Sequence, residues 1–324
     1  MANLLQDKVA IVTGAGRGVG KGVAHQLAEE GAKVVVVDLG VNVDGTGANQ
    51  SVAEQVANEI REAGGTAVAC AESVATMAGG ENIIQTAIDS FEKLDIVVTC
   101  AGILRDRMVF NMSEEEWDDV IAVHLKGTFT IVKNACILFR QQRSGRVITF
   151  SSTSGLYGNS GQANYGAAKD GIAGFTRVVA RDMGRYGVTA NSISPSASTR
   201  MTTSVPEEAR SLRASRGITS GSSTTLRGEP EDIAPFVTWL ASDESSHVNG
   251  HVFHVTAGLI SLLNEPDPIK TIHKEGRWTL EELAKVFPAT LGLELHNPAP
   301  APPPTVYSKV ITKGLEKNYG IQEF

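Results

Sequence analysis

The sequence is poor in cysteine, in clustered positive charge and in long apolar runs, and each shortage excludes a class of protein. Its three cysteines, Cys70, Cys100 and Cys136, lie far apart with no CxxC pair. That spacing excludes a zinc cluster, leaves no metal site to expect, and argues against a disulfide framework. A reducing, cytoplasmic setting is the expectation. The formal net charge is −7 and no Lys/Arg run appears, so nucleic acid is not expected as a standing partner, although an anionic small molecule could still meet a local basic site. No segment approaches the roughly 18 apolar residues of a membrane span, so no membrane partner is expected. The opening MANLLQDKVAIV reaches Asp7 before any long apolar run, unlike a signal peptide.

What is present is a globular composition of 324 residues, 42% hydrophobic, with 33 glycines. One large core plus an appendage fits this length better than two equal domains. Valine- and isoleucine-rich runs at 8–13, 33–38, 66–70, 94–100, 145–151, 188–194 and 251–256 alternate with helical periodicity at about 17–30, 50–63 and 80–92. Near-continuous apolar strands separated by amphipathic helices predict an α/β fold, a doubly wound parallel sheet of about seven strands covered on both faces. The catalytic domain is expected over 1–261. After about 262 the composition shifts: eight of the twelve prolines fall in 266–304, including PAPAPPP at 298–304. The stretch 262–324 therefore reads as a proline-rich C-terminal arm, with one short amphipathic helix in WTLEELAKVF (278–287) capped by Thr279 and Glu282.

TGAGRGVG (13–20) follows the first strand and opens the first helix. Gly14 permits the sharp turn, Gly18 lets the backbone approach a pyrophosphate, and Gly20 permits close helix packing, the pattern of a dinucleotide-binding Rossmann fold. Asp38 ends the second strand, where a carboxylate can accept from ribose hydroxyls and repel a 2′-phosphate, predicting NAD ahead of NADP. A loop-capping role for Asp38 stays open, and Arg17 beside the turn could instead meet the extra phosphate of NADP.

YGAAK (165–169) sets Tyr165 and Lys169 four apart on one helical face. A tyrosine near its free value of about 10 is a poor base, but a neighbouring ammonium and a cationic nicotinamide both favour the phenolate. Such a pair alone is more often ordinary helix surface; Ser152, thirteen residues earlier at a strand end, changes its meaning.

With the CAG of 100–102 added, these motifs resemble the short-chain dehydrogenase/reductase family over about residues 5–260. The segments AGILRDRMVF (101–110), VHLKGTF (123–129) and SGLYGNSGQANYGAAK (154–169) are most similar to the (3R)-hydroxyacyl-CoA dehydrogenase part of multifunctional β-oxidation enzymes, the type 4 17β-hydroxysteroid dehydrogenases. The resemblance implies an oxidoreductase acting on a CH–OH group of a small-molecule substrate. In it, Ser152 orients the substrate oxygen, Tyr165 exchanges its proton, and Lys169 lowers the tyrosine pKa and holds the nicotinamide ribose. It also implies a homo-oligomer, dimer or tetramer.

Some positions depart from the family. His124 stands where an asparagine usually anchors a relay water; it either relays protons, with an inflection near neutral pH, or packs against a helix kink. Thr99-Cys100 precedes Ala101 and Gly102 at the nicotinamide side, with Cys100 read as a packing substitution. Ser73-Val74 replaces Asp-Val beside the adenine. Pro195 opens a segment in which Thr199 comes one residue early for holding the carboxamide. The stretch 203–228 is expected to be a lid, and the arm to lie over the substrate pocket or a neighbouring subunit, with Lys270, His273, Lys274 and Arg277 suited to CoA phosphates. A 3-hydroxyacyl-CoA thioester is thus the expected substrate. A steroid, sugar, aromatic or other secondary alcohol, a 3-oxoacyl carrier protein, or a non-catalytic NAD-binding role remain as alternatives.

Overall fold

The computed structural model describes residues 3–199 and 228–295. Seven parallel strands, β1 (Val9–Thr13), β2 (Lys33–Val37), β3 (Thr66–Cys70), β4 (Ile96–Thr99), β5 (Gly145–Phe150), β6 (Val188–Pro195) and β7 (Val252–Thr256), form one sheet with an eighth, β8 (Leu259–Leu262). The order is β3-β2-β1-β4-β5-β6-β7-β8. The expected parallel strands are therefore all present. The addition is β8, which returns antiparallel to β7 through a two-residue turn at Ala257 and Gly258, the latter at φ +67°. Gly258 accepts that left-handed conformation without a Cβ penalty.

Both faces of the central strands are buried, as their continuous apolar runs require. On one face Ala10, Val12, Val34 and Val36 pack with α1 (Gly18–Glu29), α2 (Ser51–Glu62) and α8 (Ala234–Ala241). On the other, Val9, Ile11, Val35 and Val97 pack with α3 (Met77–Phe91), α5 (Gly127–Gln142) and α7 (Ala163–Met183). A smaller cluster of Ile103, Val120 and Ala168, with Tyr165 against it, joins α7 to α4 (Glu114–Ile121). The helical run from Glu114 to Gln142 is long and apolar enough to cross a bilayer, but half of its apolar window is buried within the protein.

The chain divides into two compact units at Asp267 and Pro268. Within the second, α9 (Leu280–Ala289) carries the expected capping box: Glu282 N–H donates to Thr279 Oγ1 at 3.2 Å and Thr279 N–H to Glu282 Oε2 at 2.8 Å. Glu282 also binds Lys274 Nζ at 2.6 Å, and the Lys274 ammonium and the Thr279 backbone hold its carboxyl down at about 2. One member of the expected basic group is thus already committed. The expected lid at 203–228 falls, except for Gly228, outside the described residues, as does PAPAPPP.

Candidate active site

Strand order reverses between β1 and its neighbours β2 and β4, and loops leaving the carboxyl ends of such strands diverge and leave a crevice. Here the crevice is a cleft of about 1170 Å³. Every residue expected from the sequence to be catalytic or to bind cofactor, from Gly14 to Thr199, lines it. Thr13 fixes its floor, because its Oγ1 accepts from Cys100 N–H at 3.1 Å and from Ala101 N–H at 3.2 Å. Those bonds tie the ends of β1 and β4 together beyond the sheet ladder.

The side of the cleft expected to take the dinucleotide is built by glycines whose absent side chains make room. Gly14 sits at φ +66°, and a Cβ there would lie 2.7 Å from Ala101 Cα. At Gly20 a Cβ would strike the Gly14 carbonyl, so α1 packs directly onto the turn. Gly18 leaves space that, among the described residues, only the Thr199 side chain approaches, at 3.5 Å. Arg17 at the helix start is extended and caps nothing with its side chain; Gly20 N–H bonds the Cys100 thiol, which leaves the Gly18 and Val19 N–H groups of the first turn to meet an anion. Asp38 accepts from Gly16 N–H at 2.8 Å and Gly40 N–H at 2.6 Å, and Arg17 Nη1 donates to Val41 O at 3.0 Å. Asp38 thus has the loop-holding role, with lone pairs to spare. Ser73 and buried Val74 line the end of the cleft expected to take the adenine, and Thr130 Oγ1 donates to Val74 O at 2.7 Å. Pro195 closes β6 at the cleft.

Across the cleft, Lys169 Nζ lies 5.6 Å from the centre of the Tyr165 ring and donates to Phe150 O at 2.7 Å. Ser152 caps the short helix α6 (Thr153–Leu156), accepting from Ser154 N–H at 3.2 Å, and its hydroxyl hydrogen-bonds Tyr165. Burial pushes Lys169 down to about 8. Burial likewise pushes Tyr165 up to about 12, against the Ser152 bond that favours ionisation. In the protein alone, desolvation of the phenolate sets the direction of the Tyr165 shift, and the lowering expected from Lys169 is not among its causes. The Cys100 thiol, pushed up to about 11 by burial, is fully protonated at neutral pH, as a packing residue would be.

These features match known proteins along most of the chain. Residues 14–260 match the family described as "Enoyl-(Acyl carrier protein) reductase". The chain belongs to the short-chain dehydrogenase/reductase family. It is 40% identical over 288 residues to the hydroxyacyl-CoA dehydrogenase ChsB1 of Mycobacterium tuberculosis, covering 86% of this chain and 87% of that one. It is 42% identical over 258 residues to the mouse peroxisomal multifunctional enzyme type 2, covering 79% of this chain and 32% of that much longer protein. A crystal structure of a short-chain dehydrogenase from Mycobacterium avium superposes with a TM-score of 0.75 at 41% identity, covering 93% of this chain and 98% of that one. This short-chain dehydrogenase/reductase is accordingly an oxidoreductase of a family that uses nicotinamide dinucleotides and small-molecule substrates.

In this dehydrogenase His124 occupies a π-helical turn, Ala122–Lys126, between α4 and α5. Its Nε2 lies 2.8 Å from Ile103 O and 3.0 Å from Ile103 N and so pairs with the Ile103 backbone in either tautomer, while the buried Nδ1 has no hydrogen-bond partner among the described residues. Gly102 makes room for the ring, since a Cβ there would lie 3.0 Å from both imidazole nitrogens. Burial, reinforced by the Lys169 charge, pushes His124 down to about 3. The imidazole is therefore neutral throughout the neutral range, and the inflection expected from a titrating relay does not belong to it. A group depressed from 6.5 in the unfolded chain contributes stability that is present above about 6.5 and lost as pH falls towards about 3. His124→Asn is expected to remove that dependence, at most ~1.4 kcal/mol per pH unit for a single proton. Thermal unfolding across this range checks it: the Tm gap between variant and parent should close as pH falls.

Three elements of the site escaped the sequence. Thr13 is one. The loop from Gly40 to Asn49, rich in small turn residues, is another: it lines the cleft with Val41, Asp44, Gly45 and Thr46, and Val43 O accepts from Leu104 N–H at 2.8 Å. The third is a charged rim in which Arg105 Nη2 binds Glu115 at 2.9 Å and Asp119 at 2.7 Å.

Proposed function

We propose that this enzyme is an NAD-dependent dehydrogenase that interconverts a secondary alcohol and a ketone, with 3-hydroxyacyl-CoA thioesters as its substrates. The observation that carries this is the convergence of Ser152, Tyr165 and Lys169 on one cleft that also holds Asp38 at the end of β2. The Ser152 hydroxyl holds the substrate oxygen, and the Tyr165 hydroxyl exchanges a proton with it. Lys169, still largely protonated at neutral pH with a value of about 8, keeps positive charge beside the phenol. When bound, oxidised nicotinamide supplies the hydride-accepting carbon and a further positive charge that favours phenolate. Gly14, Arg17, Gly18, Gly20, Val74 and Thr199 would hold the dinucleotide. The Asp38 carboxylate would take the adenosine ribose and oppose the 2′-phosphate of NADP.

The name of ChsB1, a hydroxyacyl-CoA dehydrogenase similar to this chain over most of both lengths, favours the acyl-CoA substrate over a steroid or simple alcohol. A panel of 3-hydroxyacyl-CoA thioesters, the corresponding free acids, steroids and 3-oxoacyl carrier protein, each with NAD and NADP, tests both halves. Turnover is expected to be highest with the thioesters, and NAD is expected to give a kcat/KM at least about tenfold above NADP, the equivalent of ~1.4 kcal/mol of carboxylate–phosphate repulsion. Equal use of NADP would overturn the role given to Asp38; preference for the carrier-protein substrate would overturn the substrate.

A further inference from the structure

Asn164 immediately precedes Tyr165, is fully buried, and does not line the cleft. It nevertheless uses all the hydrogen-bonding directions of a side-chain amide that matter here. Its Nδ2 donates to Arg105 O at 3.0 Å and to Glu116 O at 2.8 Å, while its Oδ1 accepts from Tyr165 N–H at 2.7 Å. The first turn of a helix leaves its N–H groups without partners, and Gln162 at the start of α7 offers no side-chain cap. Asn164 therefore supplies the acceptor that the Tyr165 amide lacks. Through its two donors it also fastens that turn to α4 and to the segment after β4, which carries Ile103 and Arg105 into the cleft. Two further bonds hold the same segments together: Arg107 N–H donates to Gly161 O at 2.8 Å, and Gln162 Nε2 to Asp106 Oδ2 at 2.9 Å.

We propose that Asn164 is a positioning residue for this dehydrogenase, setting the first turn of α7 so that the Tyr165 hydroxyl meets Ser152 and the substrate oxygen. The proposal rests on the assignment of Tyr165 as the proton-transfer group. A misplacement of about 1 Å at a reacting group can cost on the order of a hundredfold in rate, and nothing else described here holds the Tyr165 amide.

The test compares Asn164→Ala and Asn164→Asp with the parent enzyme, assayed with NAD and a 3-hydroxyacyl-CoA thioester well below each protein's Tm. Asn164→Asp keeps the size and the acceptor for Tyr165 but turns an oxygen towards the Arg105 and Glu116 carbonyls. Both are expected to lower kcat at least about tenfold, to leave KM for NAD within about twofold, and to move the pH–rate limb governed by Tyr165 upwards by about half a unit or more. A purely structural amide would lower Tm alone; folded variants with unchanged kcat and an unmoved limb overturn the proposal. If neither variant folds, amide hydrogen exchange in the parent decides: the Tyr165 N–H is expected to be protected, and exchange at the rate of an open helix start overturns the proposal. Tyr165→Phe, assayed in parallel, separates the two ideas. Near-normal turnover there removes the assignment of Tyr165 itself, whereas an inactive Tyr165→Phe beside a fully active Asn164→Ala removes only the role of Asn164.

Discussion

Tyr165→Phe is expected to lower kcat at least about a hundredfold while leaving dinucleotide affinity within about twofold, because it deletes a proton donor and nothing that holds cofactor. The ring remains and keeps its edge-to-face contact with His124, whose ring centre lies 5.1 Å away. Lys169 keeps its bond to the Phe150 carbonyl, and the glycine turn and Asp38 lie on the other side of the cleft. The buried phenol loses its hydrogen bond with Ser152, but the serine hydroxyl retains its bond from Ser154 N–H, so the fold is not expected to suffer. Steady-state kinetics with NAD, together with NADH fluorescence titration, separates chemistry from binding. Near-normal turnover would relocate the proton transfer to another group.

The second large effect is expected on the binding side. Gly14→Ala adds a methyl group 2.7 Å from Ala101 Cα and 2.8 Å from Ala101 N, at a φ of +66° that an L side chain rarely adopts. Nor can Ala101 yield easily, since its N–H is held by Thr13 Oγ1. The left-handed backbone costs about 1–2 kcal/mol and the overpacking about 1–3 kcal/mol, so a loss of about 2–5 kcal/mol in stability is expected. The turn must move away from β4, which should also weaken dinucleotide binding at least about tenfold. Denaturant unfolding and calorimetric titration with NAD measure the two losses. Full affinity in a folded Gly14→Ala protein would show that the turn is not where the pyrophosphate lies.

What could be read from the residues alone was whatever depends on local spacing. Gly14, Gly18 and Gly20 were legible because a turn between a strand and a helix demands them, and Tyr165 with Lys169 because a separation of four defines a helical face. β8 was not, since four residues that follow an unremarkable strand carry no period of their own and make sense only as the return of a hairpin. Thr13 and Asn164 act through bonds to backbone groups far along the chain, and a side chain's remote partner leaves no trace in its neighbours. The directions of the Tyr165 and His124 shifts were also hidden. They follow from burial, which the whole fold decides; the charge of Lys169 was visible in the sequence, but the desolvation that sets both directions was not.

The bond from Cys100 N–H to Thr13 joins positions 87 residues apart, and β1 cannot pair with β4 until the intervening α1–β2–α2–β3–α3 chain has been passed over. Contacts of such long sequence separation require loop closure before they give any stabilisation, and they place this architecture among slower folders. Helices such as α3 and α5 can form early from local contacts, but the crevice between the two strands has no partial version. The protein therefore acquires this crevice only with that long-range strand pairing, and saturating ligand should slow unfolding far more than it speeds refolding.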